Sequence, residues 1–135
     1  MGAHLINQGV PFVGSNPDLT YPTEIGPLPG SGAVLAFISA ATGVEPTIIG
    51  KPGAILFLEA VNRLGGNMDT VAMVGDRLST DIYGAKAAGL RAILVLSGIS
   101  TREEAAAGLV QPDYIFSDIT ELASFLTRER SVVQL

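Results

Sequence analysis

Two stretches of this 135-residue chain, Val71-Ala72-Met73-Val74 and Ala92-Ile93-Leu94-Val95-Leu96, are apolar at every position. Strands with apolar side chains on both faces belong inside a sheet covered by helices, the habit of parallel α/β sheets. Between the two runs, Thr80 to Ala88 has helical spacing and is stopped by Gly89. The same alternation is expected across the whole of residues 47–135. Thr47-Ile48-Ile49 is a short apolar strand leading into Gly50-Lys51-Pro52. Pro52 suits the first turn of a helix, where its missing N–H costs nothing. Ile55, Leu56, Leu58, Glu59, Val61, Asn62 and Leu64 are then expected to give that helix its apolar face, ended by Gly65-Gly66. Further on, Thr101-Arg102-Glu103-Glu104 has capping-box spacing and opens a helix to about Ala107. Tyr114-Ile115-Phe116 reads as a strand, and Asp118-Ile119-Thr120-Glu121 opens a helix to about Thr127. Strand–helix units joined by short loops imply a parallel sheet with right-handed crossovers, so the fold class is α/β.

Residues 1–46 have a different texture. A short strand is expected from Val10 to Val13, then a long irregular segment from Gly14 to Gly32, rich in Gly and Pro. Long ordered loops are often functional. A small-residue helix, about Ala33 to Thr42, ends at Gly43, with a domain boundary near residues 44–47.

Composition narrows the function classes. A net charge of −5 disfavours nucleic acid as a partner, because phosphate backbones are bound by Lys/Arg clusters. The same balance suits a protein that holds a divalent cation. There is no cysteine, which excludes disulfides, thiolate zinc sites and Cys nucleophiles. His4 is the one histidine, too few for a two-histidine zinc motif and a poor basis for a Ser-His-Asp triad. No basic region precedes the first apolar residues and no apolar run approaches the ~18 residues of a membrane span, so a cytoplasmic location is expected.

Chemistry is concentrated in Met73-Val74-Gly75-Asp76-Arg77-Leu78-Ser79-Thr80-Asp81. Two carboxylates five residues apart stand where a buried strand hands over to a helix, the end of an open α/β sheet that holds ligands. The plainer alternative is that Asp76 makes a turn and Asp81 favours its helix dipole. On the functional reading Asp76 binds Mg²⁺ and Asp81 supports it; Mg²⁺ keeps several waters and needs only one or two carboxylates. Lys51 opens a helix after another apolar stretch, either as a solvated turn lysine or as an ammonium reaching the same phosphate. Gly30-Ser31-Gly32 is not a nucleotide loop, since no Lys-Ser/Thr follows and Leu35 stands where a third glycine would be needed.

Gly50-Lys51-Pro52, Met73 to Ile82, Ala87-Ala88-Gly89 and Leu94-Val95-Leu96-Ser97-Gly98 together resemble the C-terminal half of haloacid dehalogenase (HAD)-superfamily phosphatases. The resemblance is to the NagD-like and 4-nitrophenylphosphatase-like branch, which carries a large α/β cap. It extends upstream, where Phe12 to Glu24 and Pro29-Gly30-Ser31-Gly32 look like the end of that cap. The resemblance implies that residues 1–46 are the C-terminal remnant of a cap domain. Residues 47–135 are then the C-terminal half of a Rossmann-like HAD core. It implies a hydrolase of small phosphate monoesters that works through an aspartyl-phosphate, with Mg as cofactor. By the same resemblance Lys51 steadies the phosphoryl group and contacts substrate, Asp76 is the metal ligand and Asp81 its supporting acid. Tyr21 and Pro22 match the cap's substrate loop, to which Asn16 and Asp18 also belong, although Asn16-Pro17-Asp18 equally fits an Asx-turn.

The family's mechanism starts at an Asp-x-Asp motif, and no Asp-x-Asp occurs in this sequence. The expectation is therefore a C-terminal fragment, inactive by itself. It further implies that Val71–Val74 has lost a neighbouring strand, and an unpaired apolar edge is a template for pairing. Homo-oligomerisation through that edge is expected. A different class of function, a non-catalytic binding or oligomerisation domain using the edge, remains open. A flavodoxin-like or receiver-like module would leave Lys51 and Tyr21-Pro22 unexplained together.

Overall fold

The computed structural model describes residues 1–133, which form two compact units, residues 1–56 and 57–133. The first unit begins with helix α1 (Gly2–Asn7), for which the sequence offers no cap: Met1 provides no side-chain hydrogen bond there. Strand β1 is only Val13–Gly14, shorter than the expected Val10–Val13. Pro11 has no N–H and cannot join a ladder from its donor side. β1 pairs in parallel with β4 (Thr47–Ile48), Val13 opposite Thr47 and Gly14 opposite Ile48. Thr47–Ile48 is thus a strand of the first unit's own two-stranded sheet.

The segment expected to be irregular contains a β-hairpin. β2 (Thr20–Thr23) runs antiparallel to β3 (Gly26–Pro29), from Thr20↔Pro29 to Thr23↔Gly26. Glu24 and Ile25 form the turn, Gly26 takes φ +112°, and the Thr23 hydroxyl donates to the Gly26 carbonyl at 2.5 Å. Three prolines in the two strands hide this hairpin from a propensity reading. A two-stranded ribbon is all edge, and edges are where proline is tolerated in sheets. Helix α2 (Ser31–Thr42) follows and stops at Gly43, whose φ of +70° is the left-handed cap that glycine adopts without a Cβ penalty.

Helix α3 (Ala54–Arg63) starts two residues after Pro52, which lies in the preceding turn closed by the Gly53 N–H on the Gly50 carbonyl. Its buried side chains are Phe57 and Val61, one turn apart, while Ile55, Leu56, Leu58 and Leu64 are exposed. The expected apolar face therefore mixed two stripes of the helix.

The second unit is built on a parallel sheet in the order β5 (Ala72–Gly75), β6 (Arg91–Val95), β7 (Tyr114–Phe116). β6 is central, and Ala92, Leu94 and Val95 are buried, as its uninterrupted apolar run requires. β5 is an edge strand here, so Ala72 is exposed and Met73 to Gly75 are only half-buried. The core gathers Phe57, Val61, Ile82, Ala85, Leu90, Ala92, Leu94 and Ala105. A smaller cluster of Val95, Phe116 and Leu122 sits beside it.

The expected helix from Thr80 begins earlier, as a π-helical turn (Leu78–Ile82) that passes into α4 (Tyr83–Ala87). In the wide turn both the Asp81 and the Ile82 N–H donate to the Arg77 carbonyl, at 3.0 and 3.3 Å. Single wide turns of this kind are frequent at functional positions. Helix α5 (Arg102–Ala107) carries the full capping box: the Glu104 N–H donates to Thr101 Oγ1 and the Thr101 N–H to Glu104 Oε2. Helix α6 (Ile119–Val133) is longer than expected. Asp118 caps the Thr120 and Glu121 amides, while Glu121 reaches one residue further back, to the Ser117 N–H at 2.6 Å.

Candidate active site

Parallel pairing places the carboxyl ends of β5 and β6 side by side, with Gly75 opposite Leu94. The loops leaving both strands therefore meet at Asp76 and at residues 97–100. Asp76 is half-buried, and its Oδ2 accepts the Ile99 N–H at 3.0 Å. Its carbonyl accepts the Ser100 N–H at 2.9 Å. Ser100 returns the contact, since its buried Oγ accepts the Leu78 N–H at 3.1 Å. Three hydrogen bonds thus stitch the two loops together around one carboxylate. Asp76 Oδ1 makes no hydrogen bond among the described residues.

Asp81 is 3% exposed and its Oδ2 accepts the Arg77 N–H at 3.1 Å. A carboxylate so deeply placed requires hydrogen-bonding partners, because uncompensated burial of charge is expensive. The wide turn brings it back over the strand end. A Cβ on Gly75 would stand 2.6 Å from both Asp81 Cγ and Oδ2. Likewise a Cβ on Gly98 would stand 2.5 Å from Asp76 Cγ. Each acid therefore lies where only a glycine leaves room, Asp81 over Gly75 and Asp76 over Gly98. Beside the stitched loops a groove of about 480 Å³ opens between Arg77, Leu78, Ser79, Ile99, Ser100 and Glu104.

The other sequence-predicted residues belong to the first unit. Asn16 Oδ1 accepts the Asp18 N–H at 3.0 Å, so the Asx-turn is formed. The Asp18 and Leu19 carbonyls accept the Gly32 and Gly30 N–H, both at 2.8 Å. Tyr21 and Pro22 are exposed on the first strand of the hairpin. Lys51 is exposed and follows Gly50, whose missing side chain lets the turn lie against the Ser15 carbonyl. Gly50-Lys51 and Ser15-Asn16 are thereby brought together at the carboxyl ends of β4 and β1. The structure joins Asn16, Asp18 and the base of Lys51 within one unit, and Asp76 and Asp81 within the other.

Among the described residues no three His, Cys, Asp or Glu side chains form a metal-binding group. The donor set at Asp76 is nonetheless compatible with Mg²⁺, which takes one or two carboxylates and keeps its waters. Gly98 and Ser100 went unremarked as site residues in the sequence. They lie 22 and 24 positions from Asp76, and only the register of β5 on β6 brings them there. The available signal was that Ser97-Gly98 follows one apolar strand just as Gly75-Asp76 follows the other.

A family model described as HAD-hydrolase-like matches residues 48–122, more than half of the chain. This chain belongs to the HAD-like hydrolases. Dihydroxyacetone phosphatase of Corynebacterium glutamicum is 41% identical over 120 residues, covering 89% of this chain and 44% of that protein. Acid sugar phosphatase of Staphylococcus aureus is 40% identical over 123 residues, 91% of this chain and 48% of the relative. The chain spans about half the length of the curated relatives it matches. Among solved structures, the p-nitrophenyl phosphatase of Archaeoglobus fulgidus superposes with a TM-score of 0.77 at 33% identity, over 90% of this chain and 49% of the other. NagD of Escherichia coli K-12 gives 0.76 at 32% identity, over 88% and 46%. A glycerol phosphate phosphatase of Mycobacterium tuberculosis, solved in complex with magnesium, gives 0.73 at 41% identity, over 90% and 37%. The NagD/4-nitrophenylphosphatase branch is the one the sequence resembles, and the fold matches the C-terminal part of its phosphatases.

No helix of the described residues is long and apolar enough to cross a membrane.

Proposed function

We propose that this chain supplies the metal-ligating part of a Mg²⁺-dependent phosphatase acting on a small phosphorylated metabolite, a sugar or glycerol phosphate by analogy with its relatives. The observation that carries this reading is Asp76, held at the carboxyl end of a parallel strand with one oxygen fixed by the Ile99 N–H and the other making no hydrogen bond among the described residues. Asp76 Oδ1 is the candidate Mg²⁺ ligand and Asp81 the acid that supports it. Bound Mg²⁺ would supply positive charge against the phosphoryl oxygens. Lys51 would add a second cation to steady the phosphoryl group, and fixed charge of this kind is among the larger catalytic effects. Tyr21 and Pro22, with Asn16 and Asp18 behind them, would contact the organic part of the ester. Residues 1–46 are the end of a cap domain on this reading, and residues 47–135 the second half of the core.

An aspartyl-phosphate route needs a nucleophilic Asp-x-Asp that this sequence does not contain. The chain by itself is therefore expected to hydrolyse little or no para-nitrophenyl phosphate with Mg²⁺ present, since loss of a nucleophile costs many orders of magnitude. Turnover by the chain alone, abolished by Asp76→Asn, would overturn that half of the proposal. Residue-specific broadening of amide signals by Mn²⁺ tests the other half. It should centre on residues 76–78 and 98–100 and vanish in Asp76→Asn.

A second reading has its own observation: β5 is an edge strand whose Met73 and Val74 are half-buried apolar residues. Such an edge favours strand addition by another chain, whether a second copy or a partner. This reading predicts concentration-dependent assembly indifferent to Mg²⁺ and to Lys51→Ala. Sedimentation as a folded monomer at high concentration would dismiss it.

A further inference from the structure

The loop after β6 donates to Asp76 twice, from the Ile99 N–H to Oδ2 and from the Ser100 N–H to the main-chain carbonyl. We infer that Ser100 and Gly98 are positioning residues for the cation site: they clamp Asp76 so that Oδ2 is spent on the Ile99 N–H and Oδ1 alone is presented. This rests on the assignment of Asp76 as the metal ligand.

Two geometric facts support it. Ser100 is 7% exposed, and through its N–H and its Oγ it forms two of the three hydrogen bonds that hold the 98–100 loop to the 76–78 turn. The third is the Ile99 N–H on Asp76 Oδ2. The Asp76 carboxylate can reach that N–H only because residue 98 carries no side chain. Gly98 has no left-handed φ, so backbone conformation does not demand glycine there; the room it leaves for the carboxylate does. A carboxylate with one oxygen already tied to a backbone amide favours coordination through the other. It is preset for one-oxygen coordination, the mode that suits an ion demanding near-ideal octahedral geometry. Ser100 touches neither substrate nor metal on this view, and acts through Asp76.

The test compares wild type with Ser100→Ala, Ser100→Thr and Ser97→Ala by amide hydrogen exchange and by Mn²⁺ broadening, both read residue by residue. Ser100→Ala should raise the exchange rate of the Ile99 amide by about tenfold while the β6 amides keep theirs. Ser100→Thr, which keeps the hydroxyl, should restore protection, and Ser97→Ala, an exposed neighbour in the same loop, should change nothing. Mn²⁺ broadening at residues 76–78 should need about tenfold more metal in Ser100→Ala and return to wild type in Ser100→Thr. Unchanged Ile99 exchange in Ser100→Ala overturns the inference, and so does an equal effect of Ser97→Ala. Gly98→Ala is a second variant: it should expose the Ile99 amide even with Ser100 intact, and retained protection would count against the clamp. If wild type shows no Mn²⁺ broadening at all, the metal assignment fails, and the clamp is then judged by the exchange rates alone.

Discussion

Replacing Gly75 by alanine isolates a single contact and makes its size predictable. Gly75 has no left-handed φ, so an alanine there carries no backbone strain. The whole effect comes from the new methyl, which would stand 2.6 Å from Asp81 Cγ and Oδ2. Asp81 cannot swing aside into solvent, because it is 3% exposed and its neighbour Ile82 is fully buried. Overpacking a close-fitted site costs about 1–3 kcal/mol. If relief comes by moving the carboxylate off the Arg77 N–H, a charge-assisted bond of about 1.5–3 kcal/mol is lost instead. The two are alternative routes of relaxation, so they do not add, and about 2–3 kcal/mol is expected. With a urea m-value of about 1–3 kcal/mol/M, the unfolding midpoint should fall by about 0.7–3 M. Circular dichroism in urea measures it. The same alanine in an Asp81→Gly background should cost clearly less, since the side chain it meets is gone. A loss below about 0.5 kcal/mol in wild type, or an undiminished loss in the Asp81→Gly background, would refute the reasoning.

Asp113 fastens the starts of β6 and β7, accepting from the Lys86 ammonium at 2.8 Å and the Ala92 N–H at 2.7 Å. The hydrogen bond from Lys86 is the main cause that lowers its pKa below 3.8, helped by the Ala92 N–H. Its contribution should be complete above that value and lost as pH falls through the lower, folded value, so stability should drop more steeply below about pH 4 in wild type than in Asp113→Asn. Asp113→Asn should cost about 1 kcal/mol at pH 7, whereas Asp113→Ala, which leaves the buried Ala92 amide unpaired, should cost about 2, both read by urea titration. Thr101→Ala removes one arm of the α5 capping box and should cost about 1 kcal/mol, while Thr101→Ser should cost little; thermal unfolding of the two variants separates them. Lysine at Ala72, the exposed residue of β5, should suppress any self-association through that edge without lowering stability by more than about 1 kcal/mol. Sedimentation velocity with parallel urea titrations checks both halves.

Local patterns located most elements of the second unit because their causes are local. Thr101 and Glu104 cap each other across three residues, and Tyr114–Phe116 is a strand with breakers on both sides. The uninterrupted apolar run of β6 announced a covered central strand, and it is one. The hairpin of β2 and β3 escaped because its strands are built from prolines and glycine, which propensity assigns to loops; cross-strand pairing defines them instead. The start of α3 was misplaced by two residues because Pro52 suits a turn as well as a first helical turn. The wide turn at Leu78–Ile82 left no mark in the spacing, since an extra residue per turn is decided by what the turn must place, here Asp81 over Gly75.

By itself the sequence determined the α/β class and the lineage through Gly-Asp-x4-Asp and Gly-Lys-Pro, and it singled out Asp76 and Asp81 as candidate acids. Those are properties of neighbouring residues, legible wherever periodicity and short spacing suffice. Tertiary structure alone decided that Gly98, Ile99 and Ser100 surround Asp76 and that Asp81 is buried. The physical reason for the first is separation in sequence. Parallel strands are joined through a helix, so residues that touch at their carboxyl ends are separated by more than twenty positions, and no local pattern records the contact.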